Sequence, residues 1–494
     1  MSNSAFEPHA LAIIVVMVVG YMGVTSWLTF HYRSKTTSDF MVAARSLPAF
    51  VVGVLIMSEF IGPKSTIGTA QVAFTSGLAA SWAVLSVAIG FPLFGIFLGR
   101  KLYASGEYTI SAAIAKKYGR STQATVSIIM IYALLLVNVA YYVSGAAALS
   151  SVLHLSVPVT AILIAGVSTF YCLIGGLKSA AYVSVLHTAV KYFGVLIVVG
   201  VALHMTGGVR PIAERLPHYY FTWSGKIGPT TILAWTIANI GAIFSTQYII
   251  QAISSLKDPK GVRRASFIAA ALCIPIGLAL GLIGVSAKFL FPNINSLFAF
   301  SVFLSHMSPL MSGFVTVSIV ASVLVGVSSI SLGTSALIVR DFYVPIWKPN
   351  EKSELRMSRM LSIPIGFFPL IFVFFMPEIL HLSFFTRALR ITISVVAIFA
   401  FYLPFFGSGR GATLALLISS VATTIWYLMG DPYGIDDIYI ALVTPVAVML
   451  LDSVLAKALG TSTSPRLAQS EPVRPANFNP LTNGTEDTET RSWD

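Results

Sequence analysis

The sequence predicts an all-α polytopic membrane protein with thirteen transmembrane helices, and three observations carry that reading. Of 494 residues, 56% are hydrophobic and only 10% are charged, with a mean hydropathy of +0.83. Soluble domains carry about 25% charged residues, so a soluble globular chain is excluded on composition. The apolar runs are continuous over the ~20 residues that a helix needs to cross a bilayer. They are not the ten-residue alternating segments of an outer-membrane barrel. Finally, the net charge of +12 resides in short loops between apolar runs. It is therefore a topology signal, and no nucleic-acid partner is expected. Cys172 and Cys273 lie inside apolar runs and form no disulfide framework.

In chain order the expected spans are α1 (9–30), α2 (47–76), α3 (80–99), α4 (123–150), α5 (155–174), α6 (180–204), α7 (230–252), α8 (264–288), α9 (309–338), α10 (357–377), α11 (384–405), α12 (411–430) and α13 (435–457). The first run is too long for a cleaved leader and is read as a retained span. Loops after odd-numbered spans are basic. The loop after α3, for example, holds Arg100, Lys101, Lys116, Lys117 and Arg120. Loops after even-numbered spans are poor in Lys and Arg, except the long stretch 205–229, and GDPYGIDD (430–437) is acidic. That alternation places the N-terminus outside and the C-terminus in the cytoplasm of a cell bounded by this plasma (inner) membrane. Residues 1–457 are expected to form the transporter domain, with a core repeat at about 47–405. Residues 458–494 are polar and are read as a disordered cytoplasmic tail, so its Asn483 sequon would not meet glycosylation machinery.

Two spans carry breaks. In α2, MSEFIGPKSTIGTAQ (57–71) puts Gly62-Pro63 in mid-membrane, where proline removes a backbone donor and an unwound patch follows near Ile61 to Ser65. Five spans later, α7 reads WTIANIGAIFSTQ (235–247), with Gly241 and a polar Ser245-Thr246-Gln247. An odd shift inverts one set relative to the other, so α2–α6 and α7–α11 are expected to be inverted repeats. Transporters with this plan place their solute at the midplane between the breaks. For α2 alone, a simple kink is the competing reading.

Four stretches carry a resemblance. GEYTISAAIAKKYG (106–119) has a Thr-initiated amphipathic helix closed by an aromatic-Gly pair. GGLKSAAYVSVLH (175–187) leads into α6, QYIIQAISSLKDPKGVRRA (247–265) ends α7, and SSISLGTSALIVRDFY (328–343) ends α9. In this order the chain resembles the sodium:solute symporter family (sodium–glucose and sodium–proline transporters). The resemblance implies a LeuT-type inverted five-helix repeat and alternating access. It also implies a sodium ion held by carbonyls that match Ser58 and Ile61 of α2 and Ser322 of α9, by two α9 hydroxyls, and near an acidic residue of α6. Counted back from Asp341, the hydroxyl positions fall on Val325 and Gly326, and the acidic position falls on Ser184. A hard cation stripped of water needs several close oxygens. The expectation is therefore that sodium coupling is lost, with protons or no coupling ion in its place. An ordinary sodium symporter with a site shifted onto Ser328 and Ser329 is the alternative.

Basic residues stand where the oxygens are missing: Lys64 in the α2 break, and His187 and Lys191 in α6. A mid-membrane charge should be paired or functional, and Glu59, one turn before the break, is the expected carboxylate partner of a lysine. Excess positive charge favours an anionic, carboxylate-bearing solute. Lys64, Ser65, Asn239 and Gln247 are the expected solute residues. Arg387 and Arg390 of α11 either join them or snorkel to the interface. A sugar is disfavoured, because Ser65 and Ala242 stand where the family's sugar carriers have glutamine and a gating tyrosine. Gln251, Trp235, Tyr141, Tyr142 and Tyr182 are read as wall or packing residues. The eight histidines are scattered and offer no metal or nucleophile–base cluster, so the chain is not read as an enzyme and no organic cofactor is expected. A membrane sensor of the same fold is the remaining alternative.

Overall fold

The computed structural model describes residues 8–34, 36–153, 155–373, 379–403 and 406–459. The expected tail beyond 459, the Asn483 sequon, Lys35 and the end of α10 lie outside the described residues. Among those described, the regular structure is helical, and a single bridge pairs Leu47 with Leu256. Eleven helices are long and apolar enough to span a bilayer, and two bent pairs raise the number to thirteen.

Each expected span has its counterpart: α1 Pro8–His31, α3 Leu78–Ser105, α4 Arg120–Leu153, α5 Val157–Ile174, α6 Leu177–Thr206, α8 Lys260–Leu290, α9 Pro309–Trp347, α10 Glu351–Val373, α11 Ile379–Tyr402, α12 Gly409–Leu428 and α13 Asp437–Ala458. The broken spans are α2, Ala49–Phe60 then Pro63–Ser76, bent by 51°, and α7, Pro229–Ser245 then Gln247–Ser254, bent by 49°. Several helices run past the expected ends because hydropathy stops at the first charge while the backbone does not. In α3 the extension carries Lys101, whose ammonium sits 3.4 Å from the Tyr402 ring centre and donates to Phe401 O at 3.1 Å. The amphipathic segment predicted after α3 is the helix Ile110–Tyr118. Thr109 caps it by accepting from Ala112 N at 3.2 Å, and Gly119 leaves it at φ +86°.

α8 packs along both halves of α2 and along α3. The approach is close because glycines line it. A Cβ on Gly53 would lie 2.8 Å from Ala265 O, one on Gly281 2.1 Å from Ser81 Oγ, and one on Gly284 2.4 Å from Ala70 O. α6 packs on α9, α4 on α9 and α11, and α7 on α3 and α11. The two broken spans thus face α4, α6, α9 and α11 across the centre of the molecule.

Candidate functional site

The site is built on the α2 break. Pro63 has no N–H to offer Glu59 O, and Gly62 is extended (φ −96°, ψ −168°), so the last carbonyls of the first half lose their helical donors. Buried carbonyls must find partners elsewhere, and side chains supply all four. Lys191 Nζ donates to Ser58 O at 3.1 Å and to Ile61 O at 2.7 Å. The Tyr141 hydroxyl donates to Glu59 O at 2.6 Å. Ser65 Oγ donates to Phe60 O at 3.3 Å. Lys191 also reaches Ser58 Oγ at 3.1 Å.

The expected pairing of Glu59 with a lysine does not form. One Glu59 carboxylate oxygen accepts a short hydrogen bond from Ser329 Oγ, and the other has no partner among the described residues. The physical reason lies in the freed carbonyls. Two of them, with the Ser58 hydroxyl, offer Lys191 three oxygens at once, and Lys64 lies beyond the break, where it donates to Ser383 Oγ of α11 at 3.3 Å.

Tyr141, expected only to pack, also serves the break. Its ring fills the space between α2 and α9, because Gly62 and Gly326 leave room for it. A Cβ on Gly62 would lie 2.2 Å from its hydroxyl, and one on Gly326 1.8 Å from Cε1. The need for such a donor is legible in the sequence, though not which residue meets it. A mid-span Pro63 strands the carbonyl four residues earlier, which demands a donor from a neighbouring span. Ser184, His187 and Lys191 recur on one face of α6. Ser184 Oγ is buried with no partner among the described residues, while His187 Nδ1 meets the Tyr21 hydroxyl in a short hydrogen bond. Ser322 is buried in α9. Val325 and His187 border a hollow of about 30 Å³ between α1, α5, α6 and α9, enough for water.

On the other side of the break the chemistry is cationic. Arg387 and Arg390 are 1% and 0% exposed, so they do not snorkel. Arg390 is fully engaged: Nε donates to Thr386 O at 2.8 Å, Nη1 to Thr246 Oγ1 in the α7 break at 2.9 Å, and Nη2 to Thr386 Oγ1 at 3.3 Å. Arg387 is not. Its guanidinium lies 5.3 Å from the Phe60 ring centre and 4.5 Å from that of Phe384, while Nε and Nη1 find no acceptor among the described residues. Phe384 stacks on Trp235 at 4.8 Å.

Two expected solute residues are occupied in packing. Asn239 Nδ2 donates to Ala83 O at 3.2 Å and Ser86 Oγ at 2.6 Å, tying α7 to α3. Gln247 donates to Tyr108 O at 2.9 Å and accepts from Ile110 N at 3.1 Å, anchoring the amphipathic helix. Asp341, the counting landmark of α9, gathers Thr109, Ser111, Gln123 and Ser127 around its carboxylate. It thereby pins that helix and α4 to α9. Among the described residues no His/Cys/Asp/Glu group could hold a metal ion.

With this geometry in hand, the comparisons with known proteins agree on one plan. The model of the sodium:solute symporter family matches residues 40–418. The osmoregulated proline transporter OpuE of Bacillus subtilis (strain 168) is 24% identical over 383 residues, 72% of this chain and 77% of that protein. Among solved structures, a Na+-coupled sialic acid symporter in a substrate-bound outward-open state superposes with a TM-score of 0.78 at 15% identity, covering 90% of this chain and 97% of that one. Mhp1, a nucleobase-cation-symport-1 family transporter, gives 0.56 at 16% identity, covering 86% and 96%. The Eremococcus coleocola manganese transporter gives 0.52 at 15% identity, covering 87% and 97%.

Proposed function

The chain belongs to the sodium:solute symporter family, a family of membrane transporters and not enzymes, and on that premise we propose that it imports a small anionic, carboxylate-bearing solute across the plasma membrane by alternating access. The N-terminus lies outside and the C-terminus inside in this reading, from the loop charges. The observation that supports an anion is Arg387. A buried guanidinium with two nitrogens unpartnered among the described residues is costly, and a planar carboxylate matches its fork. Lys64 and Arg390 add positive charge nearby, while Glu59 turns to Ser329. One transporter of the same fold is a symporter of sialic acid, itself an acid. Ser65 lines the same break, whereas the engagements of Asn239 and Gln247 favour structural roles for them.

Sodium does not drive the import in this reading, since α9 presents Val325 and Gly326 where two hydroxyls are implied. The driving gradient is then of protons or of the solute itself. The test is uptake of radiolabelled carboxylates, sugars and amines into proteoliposomes, with sodium replaced by choline and with or without an imposed pH step. Saturable uptake of carboxylates alone, unchanged in choline, is expected. Uptake confined to uncharged solutes would refute the anion, and strict sodium dependence would restore ordinary sodium symport.

A further inference from the structure

Resting on that reading of the fold and its missing oxygens, we infer that the ammonium of Lys191 is a tethered stand-in for the coupling cation, and that Tyr141 fills the space from which α9 would otherwise ligate it. The place is closed to sodium because the chain supplies its own cation there.

Five observations converge. The Lys191 ammonium has three N–H groups and three oxygens to receive them: Ile61 O at 2.7 Å, Ser58 O at 3.1 Å and Ser58 Oγ at 3.1 Å. Ser58 and Ile61 carry the two α2 carbonyls that the family resemblance assigns to the ion. The charge suits the place without a carboxylate, because these carbonyls end the helix Ala49–Phe60 and carry the negative pole of its dipole. The α9 side is also taken. The hydroxyl position has become Gly326, and the vacated volume holds the Tyr141 ring, so even a methyl group there would lie 1.8 Å from ring carbon. Lastly, of the two serines that a register slip along α9 would offer, Ser329 is bound to Glu59, while Ser328 borders the hollow beside α5. A sodium ion entering here would meet an ammonium at contact distance and would have to break its hydrogen bonds first.

The substitution is coordinated across three helices. Lys191 without Gly326 and Tyr141 would leave a half-coordinated pocket, and Gly326 without Tyr141 would leave a void. In mechanical terms, a diffusible ion joins α2 to α9 only while bound, whereas Lys191 joins α2 to α6 and cannot diffuse away.

The test uses the full-length protein in detergent and needs no solute. The melting temperature of the wild type is measured in sodium, lithium, methylammonium and choline chlorides, then that of Lys191→Ala in the same series. Wild type should melt alike in all four salts. Lys191→Ala should melt lower and recover saturably with methylammonium or sodium, but not with choline, which is too large. Saturable stabilisation of wild type by sodium overturns the inference. So does a Lys191→Ala protein that is unchanged, or one that is weakened but deaf to every small cation. Should Lys191→Ala not fold, Lys191→Met is put through the same salts and the wild-type sodium arm decides. If the anion reading fails instead, no organic acid stabilises wild type while these salt results still hold.

Discussion

The two sides of the α2 break differ in how completely their buried cations are satisfied. Toward α4 and α6, Lys191, Tyr141 and Ser65 satisfy every carbonyl that the break releases. Toward α11, Lys64 has one neutral hydroxyl and Arg387 has two nitrogens without acceptors among the described residues. Both sides are buried and cationic, so burial and charge do not tell them apart; saturation does. A saturated site contributes to the fold and rejects a guest, because a ligand must first displace bonds already made. An unsaturated one waits for a partner whose arrival relieves it.

The largest expected effect separates the two sides directly. Arg387→Met should abolish the thermal shift given by a transported carboxylate, a loss of ~2–5 kcal/mol in binding. Its ligand-free melting temperature should stay level or rise, since an uncompensated charge leaves the core. A large drop in ligand-free stability would place Arg387 with the structural set. Next comes Gly326→Ala, whose new methyl collides with the Tyr141 ring and should cost ~1–3 kcal/mol in melting experiments. Adding Tyr141→Leu should return part of that loss, and strict additivity of the two changes would break the proposed interlock. The smallest effect is at Asn239→Ala, which severs the ties to Ala83 and Ser86. Stability should fall by about 1 kcal/mol, with carboxylate affinity held within ~2-fold in the same thermal-shift titration. A selective loss of affinity would return Asn239 to the solute site.

The spans and both breaks were legible because they rest on local rules: a continuous apolar run, and a proline or polar cluster inside one. Lys64, Lys191 and the absence of hydroxyls at Val325 and Gly326 were legible as residue types at fixed offsets. What they do was not, since the partner of a buried lysine depends on which helices cross at the break. Glu59 was the nearest charge in sequence, yet two backbone carbonyls outcompeted it, and backbone groups carry no letter in a sequence. Tyr141 illustrates the same limit, because its role appears only when Gly62 and Gly326, far apart in the chain, flank one ring. Asn239 and Gln247 are engaged with neighbouring segments for a simpler reason: a polar residue on a buried face satisfies a neighbouring helix as readily as a guest.

The glycine contacts along α8 carry a mechanical implication. With Gly53, Gly281 and Gly284 drawing α2, α8 and α3 to near-backbone contact, these spans cannot slide past one another without collision, and they behave as a single stiff lever about as long as α8. At 1.5 Å rise per residue that lever measures ~45 Å, so a ~10° swing about its middle displaces each tip by about 4 Å. Under the proposed alternating access, a small rotation at the pivot is thus magnified at both membrane faces, in opposite senses.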